Sequence, residues 1–88
     1  MMLPTAEALT QTLRLALAPT QLEVLDESAA HAGHEGAGGK TSGTHFRVRI
    51  ASPHFNNISR VAAHRLVYDA AQPYIDAGLH ALAIEIQR

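Results

Sequence analysis

The chain has 88 residues, 47% of them hydrophobic and 17% charged, with six histidines and no cysteine. That length supplies one small core, and the composition is too apolar for a disordered chain, so a single domain over residues 1–88 is expected. The lack of cysteine excludes disulfides, thiolate zinc sites, cysteine nucleophiles and a self-contained Cys-ligated iron–sulfur cluster, leaving histidine as the softest ligand.

No apolar run approaches the roughly 18 to 20 residues of a membrane helix, and the opening MMLPTAEALTQTL lacks the basic and apolar regions of a signal peptide. A cytoplasmic protein without membrane contact is expected. The net charge is −1 but unevenly spread. Residues 1–39 set Arg14 against Glu7, Glu23, Asp26, Glu27 and Glu35, whereas residues 40–88 set Lys40 and five arginines against Asp69, Asp76 and Glu85. Such polarity can steer a partner, yet it falls well short of a nucleic-acid-binding basic stripe.

Ala6, Leu9, Leu13, Ala16 and Leu17 recur at three- and four-residue spacing between Thr5 and Pro19, which predicts an amphipathic first helix. Leu22 to Asp26 predicts a short strand. Residues 28–43 hold five of the six glycines and predict a long loop, a feature usually functional or mobile. From Thr44 to Ala51 the pattern alternates, with Phe46, Val48 and Ile50 on one face and His45, Arg47 and Arg49 on the other, as in a half-solvated strand. Ser52-Pro53 breaks it, and Asn56-Asn57 tolerates a left-handed backbone. Ser59 predicts the cap of a second helix with Ala62, Ala63, Leu66, Val67 and Ala70 as its apolar stripe. Pro73 predicts the start of a short third helix that Gly78 terminates, and His80 to Ile86 reads as a closing strand facing inward through Leu82, Ile84 and Ile86. The order αββααβ predicts an α+β fold: a three-stranded mixed sheet with helices on one face. Its first two strands pair antiparallel, and a right-handed crossover brings in a parallel third.

Few of these residues suggest chemistry. His31-Ala-Gly-His34 puts two imidazoles in the glycine-rich loop, where they are either solvated side chains or ligands that the flexible backbone can bring onto a metal ion. His80 extends the inward row of the last strand, so it is either a partly buried histidine bonded to backbone or a fixed ligand that the loop can meet. His64 falls at the flank of the second helix, beside Arg60 and Tyr68, and His45 and His54 read as solvent-facing. The sequence GAGGKT at 36–41 has the wrong spacing for a phosphate loop, and no nucleophile elbow or paired catalytic carboxylates occur, so no enzyme activity is expected.

The segments Leu22-Glu-Val-Leu-Asp-Glu-Ser28, His31-Ala-Gly-His34, Thr44-His-Phe46, His64-Arg-Leu-Val-Tyr68 and His80-Ala-Leu82 resemble, in order and spacing, the BolA-like family over nearly the whole chain. That resemblance implies a type II K-homology-like domain. It further implies binding to a monothiol glutaredoxin and a bridging 2Fe-2S cluster shared with it and glutathione, no cluster being held by the isolated chain, which the clean six-element pattern predicts to be a monomer when alone. His80 and a loop histidine, His31 or His34, would be the ligands, and His64 and Tyr68 would lie at the partner interface. Imidazole can replace thiolate on such an iron, provided that the partner brings the sulfur. The alternative implied by the family is a DNA-binding transcriptional regulator using Arg47, Arg49, Arg60 and Arg65. Against it, Asp69 to Pro73, where a K-homology domain would carry its GxxG loop, contains no glycine. Ala63 and Asn57 depart from residues common in relatives, an Arg and a Gly respectively.

Overall fold

In the computed structural model, which describes residues 4–31 and 44–87, helix α1 spans Ala6–Leu17. The Thr5 side chain caps it, accepting from the Ala8 N–H at 3.0 Å and satisfying one of the donors that a helix start leaves unpaired. Leu9, Leu13 and Leu17, four residues apart, bury one face completely or nearly so, while Ala16 is exposed. The helix stops at Ala18, whose φ of 44° turns the chain ahead of Pro19.

Strand β1 (Gln21–Asp26) pairs antiparallel with β2 (His45–Ala51), and β2 pairs parallel with β3 (Ala81–Ile86), giving the order β1-β2-β3 among the described residues. The register aligns Val24, Val48 and Ile84 across the sheet, and likewise Leu22, Ile50 and Ile86. Because side chains alternate, these rows share one face. They pack with Leu9, Leu13, Leu17, Phe55, Ala63, Val67, Ala71 and Tyr74 in one hydrophobic core, so both helices cover that face.

The opposite face is polar and ordered by charge. Arg49 stands directly across from Glu23 on one side and Glu85 on the other, and pairs with both at 2.9 and 3.1 Å. Arg47 bonds Glu27 at 3.0 Å and Glu85 at 2.8 Å. Glu23 and Glu27 from the acidic first half of the sequence and Glu85 from the second thus share the two arginines on one face of the sheet. Hydrogen bonds from Arg47 and then Arg49 hold the Glu85 carboxyl below its ordinary range, despite some desolvation in the opposite sense.

Helix α2 runs unbroken over Arg60–Asp76, with Pro73 inside it. The two helices predicted between β2 and β3 are therefore one. Ala71 and Tyr74, on either side of Pro73, are buried, and the Tyr74 hydroxyl donates to the Ala8 carbonyl of α1 at 3.1 Å while lying 2.6 Å from Thr12 Oγ1. These contacts carry the helix past a residue that cannot complete its own backbone bond. Ser59 caps α2 as predicted, accepting from the Ala62 N–H at 3.0 Å, but the buried row runs through Ala63, Val67, Ala71 and Tyr74, leaving Ala62, Leu66 and Ala70 at its margin. Asn57 takes the predicted left-handed backbone, with φ of 63°. Gly78, at φ of 123°, ends α2 and returns the chain to β3.

Candidate metal centre

The histidine-bearing end of the sheet is organised by Ser28. An Asx turn, in which Asp26 Oδ1 accepts from the Ser28 N–H at 2.9 Å, bends the chain out of β1 into a short 3-10 turn over Ser28–His31. The Ser28 side chain is fully buried, and its hydroxyl accepts from the backbone N–H of Thr44 at 2.9 Å and of His45 at 3.0 Å. One hydroxyl thereby joins the chain leaving β1 to the chain entering β2, and so ties together the two ends of the glycine-rich loop. The Thr44 carbonyl then accepts from both the His80 N–H at 2.8 Å and the Ala81 N–H at 3.0 Å. Ser28, Thr44 and His80 form one hydrogen-bonded node at the start of β3.

His80 lies at this node, on the residue before β3, and its side chain is exposed. The sequence pattern extended the inward row of Leu82 and Ile84 to His80. The strand begins one residue later, and the doubled bond at Thr44 breaks the alternation there. Instead of entering the core, the His80 ring faces that of His45, with centres 5.6 Å apart and planes inclined by 54°. His45, expected to face solvent, is half-buried, and its Nδ1 lies 3.0 Å from Thr44 Oγ1. Alternation had assigned His45 to the polar face correctly. The parallel register, which sets His45 opposite Ala81 and so beside His80, is a long-range pairing that alternation cannot reveal.

Of the two loop candidates, His31 closes the 3-10 turn, so its backbone is next to the Ser28 node, whereas His34 and the rest of residues 32–43 lie outside the described residues. Among the described residues no three His, Asp or Glu side chains gather as a complete metal cage. The donors available at His80 are imidazoles, borderline ligands suited to iron, copper, nickel and zinc. They fit a cluster iron that takes its thiolates from elsewhere.

The other candidates separate onto different surfaces. Arg47 and Arg49 are engaged with carboxylates on the open face of the sheet, which raises both above the ordinary arginine range through hydrogen bonds to Glu27 and Glu85 and to Glu23 and Glu85 respectively. Arg60 and Arg65 are exposed on α2, across the core from them. The four arginines therefore form no common patch, and Asp69 to Pro73 is continuous helix rather than a phosphate-gripping loop. His64 is half-buried and lines a mostly apolar groove on α2 with Arg60, Val61, Arg65 and Tyr68. The Tyr68 hydroxyl reaches from this groove to donate to the Leu82 carbonyl at 3.0 Å. Ala81 and Gln87 direct their N–H groups toward β2, so Leu82, in the alternate position, directs its carbonyl outward, and Tyr68 satisfies an acceptor at the edge of the sheet.

A helix-backed three-stranded mixed sheet with histidines at one end of its central and parallel strands defines a small α+β domain. The family model for BolA-like proteins matches residues 13–88, and the chain belongs to that family. It is 47% identical over 79 residues to an uncharacterised protein in the cobS 5′ region of Sinorhizobium sp., covering 90% of this chain and 85% of that protein. It is 42% identical over 80 residues to the chloroplastic protein BOLA1 of Arabidopsis thaliana, covering 90% of this chain but 50% of that protein. Among solved structures, the BolA domain of SufE1 from Arabidopsis thaliana superposes with a TM-score of 0.81 at 40% identity, over 93% of this chain and 88% of that one. BolA1 from the same plant also gives 0.81, at 37% identity, over 99% of this chain and 94% of that one. No described helix is long and apolar enough to cross a membrane.

Proposed function

We propose that this chain is a non-enzymatic iron–sulfur accessory protein that binds a monothiol glutaredoxin and contributes His80, with His31 or His34, to a bridging 2Fe-2S cluster. The observation that carries this reading is His80 itself: an exposed imidazole on a backbone fixed by two hydrogen-bonded N–H groups, beside both ends of the loop that bears the other two histidines. A fixed ligand next to an adaptable one suits a cluster that is shared between proteins, because the loop can adjust to the partner without moving the anchor. The cluster, when bound, would supply two irons with open positions for nitrogen donors. This chain's part is to present neutral imidazoles and a docking surface. The glutaredoxin and its glutathione bring the thiolates that a cysteine-free chain lacks.

The partner surface runs along the apolar groove of α2, where Val61 is 63% and Tyr68 41% exposed. Tyr68 links that groove to Leu82, two residues beyond His80. A partner seated there reaches the histidine end of the sheet. DNA binding is the weaker reading, since its arginines are split between two surfaces and half of them are paired with carboxylates.

The test is a titration of the full chain into cluster-loaded monothiol glutaredoxin, followed by visible circular dichroism. Wild type is expected to change the cluster spectrum and His80→Ala to abolish the change. His31→Ala or His34→Ala should alter it, and the exposed His54→Ala should leave it as in wild type. An unchanged spectrum on adding wild type would remove the reading.

A further inference from the structure

The outer edge of β3 adjoins the groove of α2. Ala81 and Gln87 donate their N–H groups to the Thr44 and Ile50 carbonyls, so by alternation Leu82, Ile84 and Ile86 direct their N–H and C=O groups away from β2. Among the described residues no strand pairs with that side of β3, and the Tyr68 hydroxyl, 3.0 Å from the Leu82 carbonyl, donates where a neighbouring strand would. We propose, resting on the reading of the α2 groove as the partner surface, that this edge and the groove together take an extended segment of a partner protein as a fourth strand. The segment is apolar at alternate positions and flanked by acidic side chains.

The backbone groups of the edge call for an extended occupant, since only a strand offers donors and acceptors at the spacing of Leu82, Ile84 and Ile86. The side chains call for apolar alternation. Ile84 and Ile86 are half-buried, whereas Val48 and Ile50, beside them in the register, are fully buried, so an added strand would complete the apolar row. The groove lies alongside. Helix α2 ends at Asp76 and the chain returns through Gly78 into β3, so helix and strand run in opposite directions. From Tyr68 back to Arg60 the helix rises about 12 Å, and from Leu82 to Ile86 the strand rises about 13 Å. With Tyr68 bonded to Leu82, the groove residues Val61 and Arg60 therefore come level with Ile86, and one segment can lie against both.

Charge selects the flanks. Exposed Arg60 and Arg65 border the groove, and the groove itself presents no carboxylate, so acidic side chains on the segment are attracted there. The other edge of the sheet repels the same segment, because β1 carries Glu23 and Asp26 and leads into Glu27. Charge also disfavours a second copy of this chain on β3. A two-fold pairing of β3 with β3 would bring two sets of Arg60 and Arg65 together, and β1 of one copy on β3 of the next makes a head-to-tail contact that adds copies without closing. An acidic strand from a different protein meets neither obstacle.

The experiment is a nuclear magnetic resonance titration of the ¹⁵N-labelled full chain with a synthetic peptide of about nine residues, valine alternating with threonine between paired glutamates, followed by amide exchange. At saturation the amides of Leu82, Ile84 and Ile86 are expected to exchange at least about tenfold more slowly, while those of Ala83 and Glu85, already bonded to β2, change little. Reversing both charges, in Arg60→Glu with Arg65→Glu, should weaken binding by at least about tenfold. Because a variant can misfold, the same preference is also read on unaltered protein, where a peptide with lysines in place of the glutamates should bind at least about tenfold more weakly. No binding up to about 1 mM peptide, equal affinity for the two peptides, or shifts in α2 without the alternate protection in β3 would overturn the proposal. Alternate protection that rises with the concentration of the chain alone would assign the edge to a second copy and overturn it too. With no glutaredoxin or cluster present, failure here leaves the cluster reading intact, and failure of the cluster spectrum leaves the strand site intact.

Discussion

Replacing Ser28 by alanine is expected to cost far more than the loss of one surface hydroxyl. The side chain is fully buried and its oxygen is the acceptor for two backbone donors, the N–H groups of Thr44 and His45, at 2.9 and 3.0 Å. Alanine fills the space but accepts nothing, and a buried donor without a partner costs about 1–3 kcal/mol. Thr44 is 4% exposed and feels the full penalty, whereas half-buried His45 regains part of its bond from water, so the sum is about 2–4 kcal/mol. In a domain of this size each kcal/mol lowers Tm by about 4–8 °C, which gives a fall of roughly 8–32 °C. Urea denaturation followed by circular dichroism measures the first quantity and a thermal melt the second. Ser59→Ala, which removes an exposed helix cap, should cost about 1 kcal/mol and serves as the comparison. Amide exchange gives a local readout, with Thr44, His45, His80 and Ala81 expected to lose protection together because the last two bond to the Thr44 carbonyl. A Ser28→Ala protein within about 0.5 kcal/mol of wild type, with those amides still protected, would refute the claim that this hydroxyl fastens the histidine end of the sheet.

The charge ladder and the end of α2 give two further tests. Glu85 is held below its ordinary range in the folded state by Arg47 and Arg49, so its stabilisation is present above the unfolded-state value and is lost as pH falls through the folded one. Glu85→Gln is therefore expected to be less stable than wild type at pH 7, with the gap closing below about pH 4 and shrinking in about 1 M salt, as denaturation midpoints will show. A gap that stays constant across this range would mean the ion pairs contribute nothing. Gly78→Ala is expected to destabilise by about 1–3 kcal/mol. An added Cβ meets nothing within 4 Å, so strain at φ of 123° is the sole source of the cost. Equal stability in urea would show that α2 can end without that conformation.

Most of the fold is legible because local patterns and the core agree. Thr5 and Ser59 mark helix starts with side chains that do cap, the alternation of residues 45–50 separates Phe46, Val48 and Ile50 from the arginines, and Gly78 stops a helix where its backbone must turn positive. The error at Pro73 has a physical origin. Proline argues locally for a break, but Ala71 and Tyr74 are locked into the core and tertiary packing overrides the local preference. The site was harder to read. His80 was evident as a candidate, yet its exposure follows from a strand that starts one residue late at a carbonyl receiving two bonds, and no periodicity encodes that. Ser28 resembles any loop serine in sequence, and its burial exists only once residues 28 and 44 meet. Nor does the alternation that gave Arg47 and Arg49 to the polar face tell that Glu23, Glu27 and Glu85 would be waiting there.

The most direct test of the central claim is pulsed electron paramagnetic resonance on the reduced cluster of the complex, with this chain labelled with ¹⁵N in its histidines and the glutaredoxin left unlabelled. The account expects ¹⁵N hyperfine coupling of directly bound imidazole in the wild-type complex, and loss of the His80 contribution in His80→Ala. A complex that forms with its cluster intact but shows no ¹⁵N coupling from this chain would contradict it.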